Sequence, residues 1–319
     1  MVIEYTLPYT TVEINEKIDM VDEISNDKNA EEIPSLPIVK FVDYDKKVKT
    51  ISHRGYNAEA PENTIPAFIL SKQKGYNYVE CDVFFTSDNV AVLLHDDTID
   101  RTSNGSGNIS SLTYEEVLQY DFGSWKSSLY KGVKIPTFKQ FILLCKDIDL
   151  HPYIELKDCT QEQAKDIVIM VEEAGMKGRV TYTSFDSNIL EYIKNIDKEA
   201  RLGYTSFYGT KTEVNTALGL KTDVNEVFVT IRYYEITDSF ISLCKENNLP
   251  LEIWCVNDKD VIKNMDDYIT GVTSDNLMAG KILCNKSENI VQQWTYNLSF
   301  SNTEKDKNIR KQIFNINFK

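Results

Sequence analysis

The sequence predicts an α/β protein, a closed (β/α)8 barrel with a small insertion at the barrel mouth and short N- and C-terminal appendages. Within residues 49–285, short segments rich in β-branched and aromatic residues alternate with helical segments, which is typical of a parallel sheet with helical crossovers. About eight such repeats fit into about 240 residues, the usual size of a closed barrel. Periodicity alone also allows an open doubly wound sheet. No glycine-rich dinucleotide fingerprint and no GxxxxGK[ST] loop follows the first predicted strand, so nucleotide-binding forms of that sheet are disfavoured.

Strand-like and helix-like segments follow one another along this region. The predicted strands are VKTIS (48–52), YVECDV (78–83), VAVLL (90–94), PYIEL (152–156), RVTYTS (179–184), RLGYT (201–205), EVFVTI (226–231), LEIWCV (251–256) and ITGVTS (269–274). The predicted helices are residues 65–74, 161–175, 186–196, 239–248 and 258–265. The first helix is expected to start near Asn63 as a cap and to stop at Gly75, because these residue types favour helix ends.

A long polar segment, residues 96–136, breaks the alternation and contains one predicted short helix, TYEEVLQY. In a barrel it would be an insertion at the mouth, and such insertions usually bind or cover substrate. Three of its aromatic residues, Phe122, Trp125 and Tyr130, form either a small core of the insertion or a leaving-group pocket. Residues 1–48, with eleven acidic residues and five lysines, are interpreted as an appendage and linker, and residues 286–319 as a C-terminal tail.

Composition and charge exclude several classes of protein. The 319 residues include 35 basic and 49 acidic side chains, a net charge of −14, which disfavours binding to nucleic acids or anionic lipid and fits an enzyme that holds cations. No apolar run approaches the about 18 residues that a membrane span needs. The start of the chain lacks a secretory signal, which predicts a cytoplasmic protein; a trimmed signal or another export route keeps an extracellular or virion-associated location open. The six cysteines form no C-x-x-C pair and are expected to be free thiols.

Charged residues collect at the ends of the predicted strands. Glu80 and Asp82 lie two positions apart on one strand, so their side chains point to the same face about 7 Å apart. Two carboxylates at that spacing make half of a site for a hard cation. Glu155 and Lys157 repeat the spacing on a later strand. Because an unpaired buried carboxylate is strongly disfavoured, each is expected to meet a metal ion or an opposite charge.

Two of the three histidines, His53 and His95, end predicted strands. Histidine gives and takes protons near neutral pH, so this pair beside three carboxylates predicts acid–base catalysis. The third, His151, begins its strand and is interpreted as structural. Two acidic residues have open roles: Glu62 either hydrogen-bonds Arg54 or caps the first helix, and Asp96 either orients a histidine or caps a loop.

A longer series of short motifs runs through residues 49–285. The motifs are His53-Arg54-Gly55, Pro61-Glu62-Asn63-Thr64, Ala67-Phe68, Gly75, Val79-Glu80, Asp82-Val83, Thr86, Asp88, His95-Asp96, Arg101-Thr102, Gly105, Gly107, Ile135-Pro136-Thr137-Phe138 and Glu155-Leu156-Lys157. Looser matches follow at Ser184-Phe185, at Trp254 with Val256-Asn257, and at residues 269–275, where Leu277 replaces a common proline. In order and spacing, the series resembles the glycerophosphodiester phosphodiesterase family.

The resemblance implies a (β/α)8 TIM barrel with its active site at the carboxyl ends of the strands. It also implies a divalent metal ion, usually Mg²⁺ or Ca²⁺, held by Glu80, Asp82 and Glu155. Ligands that are all oxygen suit those ions and not zinc.

The resemblance further implies the reaction and its residues. His53 and His95 would be the acid–base pair, with His53 favoured as base and His95 as acid, and Arg54 and Lys157 would face the phosphate. A glycerol hydroxyl would attack phosphorus, and water would open the resulting cyclic phosphate to glycerol 3-phosphate. Trp254 either stacks on the glycerol or head group or belongs to the core.

Three other functions stay open on this sequence. The substrate could be a polymer of glycerol phosphate, such as teichoic acid, cut by a secreted or phage-associated enzyme. A phospholipase D-like lyase would stop at the cyclic phosphate and would need a lipid-binding face, and no apolar loop cluster of that kind is present. A binding module without activity is disfavoured, because every charged group that the chemistry needs is present.

Overall fold

Eight parallel strands close into a barrel in the computed structural model, which describes residues 48–283. This range contains the strands β1 (Lys49–Ser52), β2 (Tyr78–Phe85), β3 (Ala91–Leu93), β4 (His151–Leu156), β5 (Thr181–Ser184), β6 (Arg201–Ser206), β7 (Val227–Arg232), β8 (Leu251–Trp254) and β9 (Ile269–Ser274). β1 pairs with β2 on one side and with β9 on the other, so the sheet has closed. The predicted barrel is confirmed, and the open doubly wound sheet is excluded.

The third predicted strand exists but is not part of the barrel wall. β3 runs antiparallel to the end of β2, with Phe84 opposite Val92. Only a short turn separates the two strands, whereas a parallel pair needs a crossover of a dozen or more residues. The hairpin turns the chain back toward the barrel rim. The Leu94 N–H donates to the Asp82 carbonyl at 3.1 Å, so the next residue, His95, lies at the level of Asp82.

Helices surround the barrel in the described range, except for one that lies in the insertion. The helices are α1 (Ile65–Gln73), α2 (Tyr114–Val117), α3 (Phe138–Asp147), α4 (Gln161–Glu173), α5 (Ser187–Ile196), α6 (Lys211–Gly219), α7 (Asp238–Glu246), α8 (Lys259–Asn264) and α9 (Ala279–Leu283). The helix in the insertion is α2. The prediction that Asn63 caps α1 is wrong, because Thr64 is the N-cap residue. Asn63 instead adopts a φ of 54° and donates from its amide to Asp82 Oδ2 at 2.7 Å. The α3, α6 and α9 helices were not predicted.

The insertion has a small core of its own. Ile99, Ile109, Val117, Phe122 and Ile135 pack with Val92 and Leu94 at the end of the β2–β3 hairpin. Tyr114 and Tyr120 pack against this core, Tyr130 packs against the Ala60, Ala67 and Leu70 cluster, and Trp125 is exposed. The interpretation as a core therefore holds for Phe122. Inside residues 48–283 the five cysteines are free thiols, and no helix is long and apolar enough to cross a membrane. Cys284 and the predicted appendage and tail, apart from Val48, lie outside the described residues.

An ion pair among aromatic rings fills the amino-terminal half of the barrel interior. Arg201 donates to Glu252 Oε1 at 2.8 Å and to Tyr153 Oη at 2.7 Å, and its guanidinium lies 4.3 Å from the centre of the Phe228 ring. The Glu252 side chain is only 3% exposed. Tyr153, Phe228 and Ile51 form one buried cluster, which fixes which side chains of their strands face the barrel axis.

Removing Glu252 is expected to destabilise the fold more than removing the other carboxylate that pairs with Arg201. Glu252→Ala leaves a buried guanidinium without its buried partner, which lowers the free energy of unfolding by about 3–5 kcal/mol. Glu226 accepts from the same guanidinium at 2.8 Å, but its side chain is 54% exposed. Glu226→Ala is therefore expected to cost less than about 1 kcal/mol. Urea denaturation measures both values, and equal losses would contradict the buried pair.

Candidate active site

The alternation of side chains along each strand places one set of residues at the carboxyl mouth of the barrel. Glu252, Tyr153 and Phe228 face the axis, so residues two or four positions later on the same strands face it as well. All eight barrel strands supply such a residue, within the strand or just beyond it. These residues are His53, Asp82, Glu155, Phe185, Phe207, Arg232, Trp254 and Asp275. The mouth has a charged half, formed by β1, β2, β4 and β9, and an aromatic half, formed by β5 to β8.

Three carboxylates form the centre of the charged half. Glu80, Asp82 and Glu155 each offer an oxygen, and these oxygens lie within 4.8 Å of one another. Burial, together with the negative charges of Asp82 and Glu155, raises the pKa of Glu80 well above its usual value. Burial also acts to raise the pKa of Asp82, but Lys157 and Arg54 outweigh it and hold that pKa below its usual value. Three carboxylates this close repel one another, and a divalent cation with oxygen ligands fits the set.

Two cations border these carboxylates. Lys157 Nζ lies 2.8 Å from Asp82 Oδ1 and also contacts Glu155. Burial lowers the pKa of Lys157, but the charges of Asp82 and Glu155 outweigh it and raise the pKa above its usual value. Arg54 Nε lies 3.4 Å from Asp82 Oδ2, and its backbone N–H donates to Glu80 Oε2 at 2.8 Å. Burial acts to lower the pKa of Arg54, but the charges of Asp82 and Glu62 outweigh it and raise the pKa. Both cations stay charged, so they are suited to a phosphodiester anion.

The turn after β1 has to be tight to bring the Arg54 N–H to Glu80. Arg54 and Gly55 both have positive φ values, of 55° and 79°. A Cβ on Gly55 would lie 2.6 Å from the Cβ of Ala67 in α1, so only glycine fits. The tight turn therefore explains why glycine is the third residue of the His-Arg-Gly motif.

Both predicted catalytic histidines have the same carboxylate arrangement. His53 Nδ1 lies 2.7 Å from Asp275 Oδ1, and His95 Nδ1 lies 2.6 Å from Asp96 Oδ1. A carboxylate only accepts, so each Nδ1 carries a proton and donates, which leaves Nε2 as the nitrogen that can gain or lose a proton. Among residues 48–283, neither Nε2 has a hydrogen-bond partner. Burial lowers the pKa of His95, partly offset by the charge of Asp82.

A chain of ion pairs connects His95 to Arg54. Arg101, from the insertion, donates from Nε to Asp96 at 2.6 Å and from both terminal nitrogens to Glu62 at 2.8 Å. Arg54 Nη1 donates to the same Glu62 carboxylate at 2.8 Å. Burial opposes ionisation of Asp96, but hydrogen bonds from Arg101 and His95 lower its pKa to about 2. Glu62 therefore bonds Arg54 and does not cap α1, and Asp96 orients a histidine.

Asp275 is the residue of the charged half that the motifs did not assign a role. Besides His53, its carboxylate accepts from the Asn57 amide at 2.6 Å and from the Asn257 amide at 2.5 Å. Burial acts to raise its pKa, but the hydrogen bond and charge of His53 hold the pKa well below its usual value. The match at residues 269–275 was the available signal, because it places an acid directly after the last strand.

Three rings and one cation make the aromatic half. The Phe185 and Phe207 rings stack with centres 4.6 Å apart, and the Trp254 ring meets both edge to face. The Arg232 guanidinium lies 4.3 Å from the centre of Phe207 and 5.4 Å from that of Trp254. Trp254 is half-buried at the mouth and is not a residue of the closed core. Lys157 Nζ, 5.9 Å from the centre of Phe185, joins the two halves.

The chain is similar to proteins of one known family. Residues 53–279 match the family model described as the glycerophosphoryl diester phosphodiesterase family. A glycerophosphodiester phosphodiesterase of Caldanaerobacter subterraneus is 29% identical over 222 residues, 69% of this chain and 90% of that protein. The mouse glycerophosphodiester phosphodiesterase 1 is 35% identical over 129 residues, 40% of this chain and 39% of that protein.

Solved structures give the same result. A phosphodiesterase of Oleispira antarctica in complex with the product sn-glycerol-3-phosphate superposes with a TM-score of 0.68 at 26% identity, covering 76% of this chain and 97% of that chain. A glycerophosphodiester phosphodiesterase of Agrobacterium tumefaciens superposes with a TM-score of 0.61 at 26% identity, covering 74% and 98%. The protein is a phosphoric diester hydrolase, and it belongs to the glycerophosphoryl diester phosphodiesterase family.

Proposed function

We propose that the protein hydrolyses glycerophosphodiesters to an alcohol and glycerol 3-phosphate, with His53 and His95 as the acid–base pair and with a divalent metal ion. The observation that carries this proposal is the paired arrangement of the two histidines. Each has Nδ1 bonded to a carboxylate, and each leaves Nε2 available beside the charged half. Two such nitrogens suit a reaction that removes one proton and delivers another.

The two histidines carry out the proton transfers of both steps. Nε2 of His53 takes the proton of the glycerol 2-hydroxyl as that oxygen attacks phosphorus. The bond from phosphorus to the leaving alcohol breaks, and Nε2 of His95 protonates the departing oxygen. The product of this step is a cyclic phosphate. Water then opens the ring with the two proton transfers reversed, which gives glycerol 3-phosphate and returns both histidines to their starting state.

The charged half matches the charge of this reaction. A phosphodiester anion repels nucleophiles, so Arg54 and Lys157 are placed to offset its charge and the charge that develops on the phosphoryl oxygens. Glu80, Asp82 and Glu155 would hold Mg²⁺ or Ca²⁺, which when bound supplies Lewis-acid stabilisation of a phosphoryl oxygen. Asp275 and Asp96 fix the tautomer and orientation of the histidines, so they are positioning residues.

Release of glycerol 3-phosphate tests the proposal directly. The purified protein is incubated with glycerophosphoglycerol or glycerophosphocholine and with Mg²⁺, with Ca²⁺ or with excess EDTA. We expect release in the presence of one or both ions, and a loss of about 10³-fold or more in EDTA, because the ion contributes several kcal/mol to the transition state. Release that EDTA does not reduce would overturn the metal site. No release from either diester with either ion would overturn the proposed reaction.

A further inference from the structure

Arg232 is a cation at the barrel mouth that the proposed reaction does not use. It ends β7, opposite Trp254 in the strand register, so it is at the same end of the barrel as the carboxylate cluster. Its guanidinium lies over Phe207, Trp254 and Tyr234, with the Tyr234 ring centre 5.5 Å away. Among residues 48–283, it has no carboxylate within 4.0 Å and no hydrogen bond. A guanidinium with five donors and no acceptor is suited to an anion from outside.

The aromatic half would otherwise be suited to a cationic head group. Ring faces attract quaternary ammonium groups such as choline, which is a common use of aromatic clusters. Here the arginine already occupies the faces of Phe207 and Trp254 and carries a positive charge. A second cation in the same place would be repelled by the positive charge of Arg232. The aromatic half therefore disfavours a cationic leaving group.

Two positive charges lie at opposite ends of the aromatic pair. Lys157 Nζ is 5.9 Å from the centre of Phe185, and the Arg232 guanidinium is 4.3 Å from the centre of Phe207, with 4.6 Å between the two ring centres. Phe207 is 41% exposed and Tyr234 60%, so the arginine end opens to solvent. This spacing fits two anionic groups joined by a short linker, such as a glycerol unit, that spans the distance between the two cations.

We propose that Arg232 selects glycerophosphodiesters that carry a second phosphate beside the reacting one, and that the preferred substrate is therefore an anionic diester and not a choline or ethanolamine diester. The inference rests on the proposed hydrolysis. The planar guanidinium binds the second phosphate through parallel N–H donors, and its cation–π contacts hold it in place for that bond. A chain of glycerol phosphates and a phosphorylated head group both present this chemistry.

The test compares kcat/KM for four diesters in the full chain. They are glycerophosphocholine, glycerophosphoglycerol, glycerophosphoglycerol with a terminal phosphate, and a short glycerol phosphate oligomer. We expect the two phosphate-bearing substrates to exceed glycerophosphocholine at least about tenfold, because a hydrogen-bonded charge pair contributes roughly that factor or more. The oligomer carries only diester phosphates. A larger kcat/KM for the oligomer than for glycerophosphoglycerol with a terminal phosphate would therefore identify a chain of glycerol phosphates as the preferred substrate.

The selectivity ratio is kcat/KM for a phosphate-bearing substrate divided by kcat/KM for glycerophosphocholine. Arg232→Gln is expected to lower this ratio by about 10- to 100-fold. Arg232→Lys keeps the charge but not the parallel donors, so it is expected to retain part of the ratio. Arg179→Gln is the matched control, because it removes the same charge near the start of β5, at the other end of the barrel, where Arg179 pairs with Asp149.

The outcomes separate the two proposals. If glycerophosphoglycerol is hydrolysed but Arg232→Gln leaves the ratio unchanged, or if the wild type prefers glycerophosphocholine, the role of Arg232 is overturned and the hydrolysis stands. If no diester is hydrolysed with either metal ion, the hydrolysis itself is overturned, and the inference with it. Circular dichroism of Arg232→Lys and Arg232→Gln shows whether both variants are folded.

Discussion

His95→Ala is expected to lower kcat by about 10²–10⁴-fold, with little change in KM, because it removes one of the two proton-transferring groups and none of the phosphate-binding cations. His151→Ala is the matched control. His151 is half-buried at the amino-terminal end of β4, where its ring packs 5.3 Å from that of Tyr78, so its loss is expected to leave kcat unchanged. Steady-state rates with a saturating metal ion measure both variants. A kcat of His95→Ala equal to that of the wild type would contradict the two-histidine mechanism.

Leaving groups of different basicity distinguish the base from the acid. A nitrophenolate leaves without a proton, so the defect of His95→Ala is expected to shrink strongly on a nitrophenyl diester if His95 is the acid. The defect of His53→Ala is expected to persist, because the attacking hydroxyl still has to lose its proton. A reversed pattern would exchange the two roles. Asp275→Asn keeps the shape of its side chain but loses the charge that fixes His53, so its defect is expected to follow that of His53→Ala at a smaller size.

Glu80→Gln is expected to abolish stabilisation by metal ions while it leaves the metal-free protein as stable as the wild type or more so. In the absence of an ion, the Glu80 carboxylate is buried beside two others, which disfavours the folded state, and an amide removes that repulsion. At a concentration 100-fold above Kd, a bound ion adds about 2.7 kcal/mol to the wild type. That gain is about 5–10 °C in Tm for a domain of this size.

Thermal unfolding with and without Mg²⁺ or Ca²⁺ measures this shift. Glu173→Gln, on the exposed side of α4, is the control for the loss of one negative charge, and it is expected to keep the full shift. A Tm of Glu80→Gln that still rises with the ion would show that the ion binds elsewhere. A metal-free variant far less stable than the wild type would show that Glu80 serves the fold and not a ligand site.

The sequence was most informative where charged residues occupy alternate positions of an otherwise apolar strand. Glu80, Asp82, Glu155 and Lys157 could be predicted as one cluster, because charged residues at alternate positions of apolar strands need a common partner. His95 was placed correctly at the rim, although its strand is antiparallel. Strand composition does not encode direction, and the short turn before β3 was the available signal.

The sequence was least informative where a residue type is ordinary or its partner is remote. Phe185 and Phe207 resemble core residues. The loose match at Ser184-Phe185 was a signal for Phe185, and for Phe207 only its position just beyond a strand end places it at the mouth. Arg232 has no charged neighbour in sequence that would mark it. The missed helices α3 and α6 had a usable signal, since Thr137 with Gln140 and Thr210 with Glu213 form capping boxes.

The pairing of β1 with β9 also determines at what stage of synthesis the residues of the charged half can come together. His53 and Asp275 are 222 positions apart, and they meet only when the last strand docks beside the first. Such non-local contacts form late, because the intervening chain has to be ordered before they stabilise anything. A nascent chain on the ribosome already contains the carboxylate cluster and His95 long before Asp275 emerges. In the proposed mechanism, full turnover is therefore expected only after nearly the whole barrel has been synthesised.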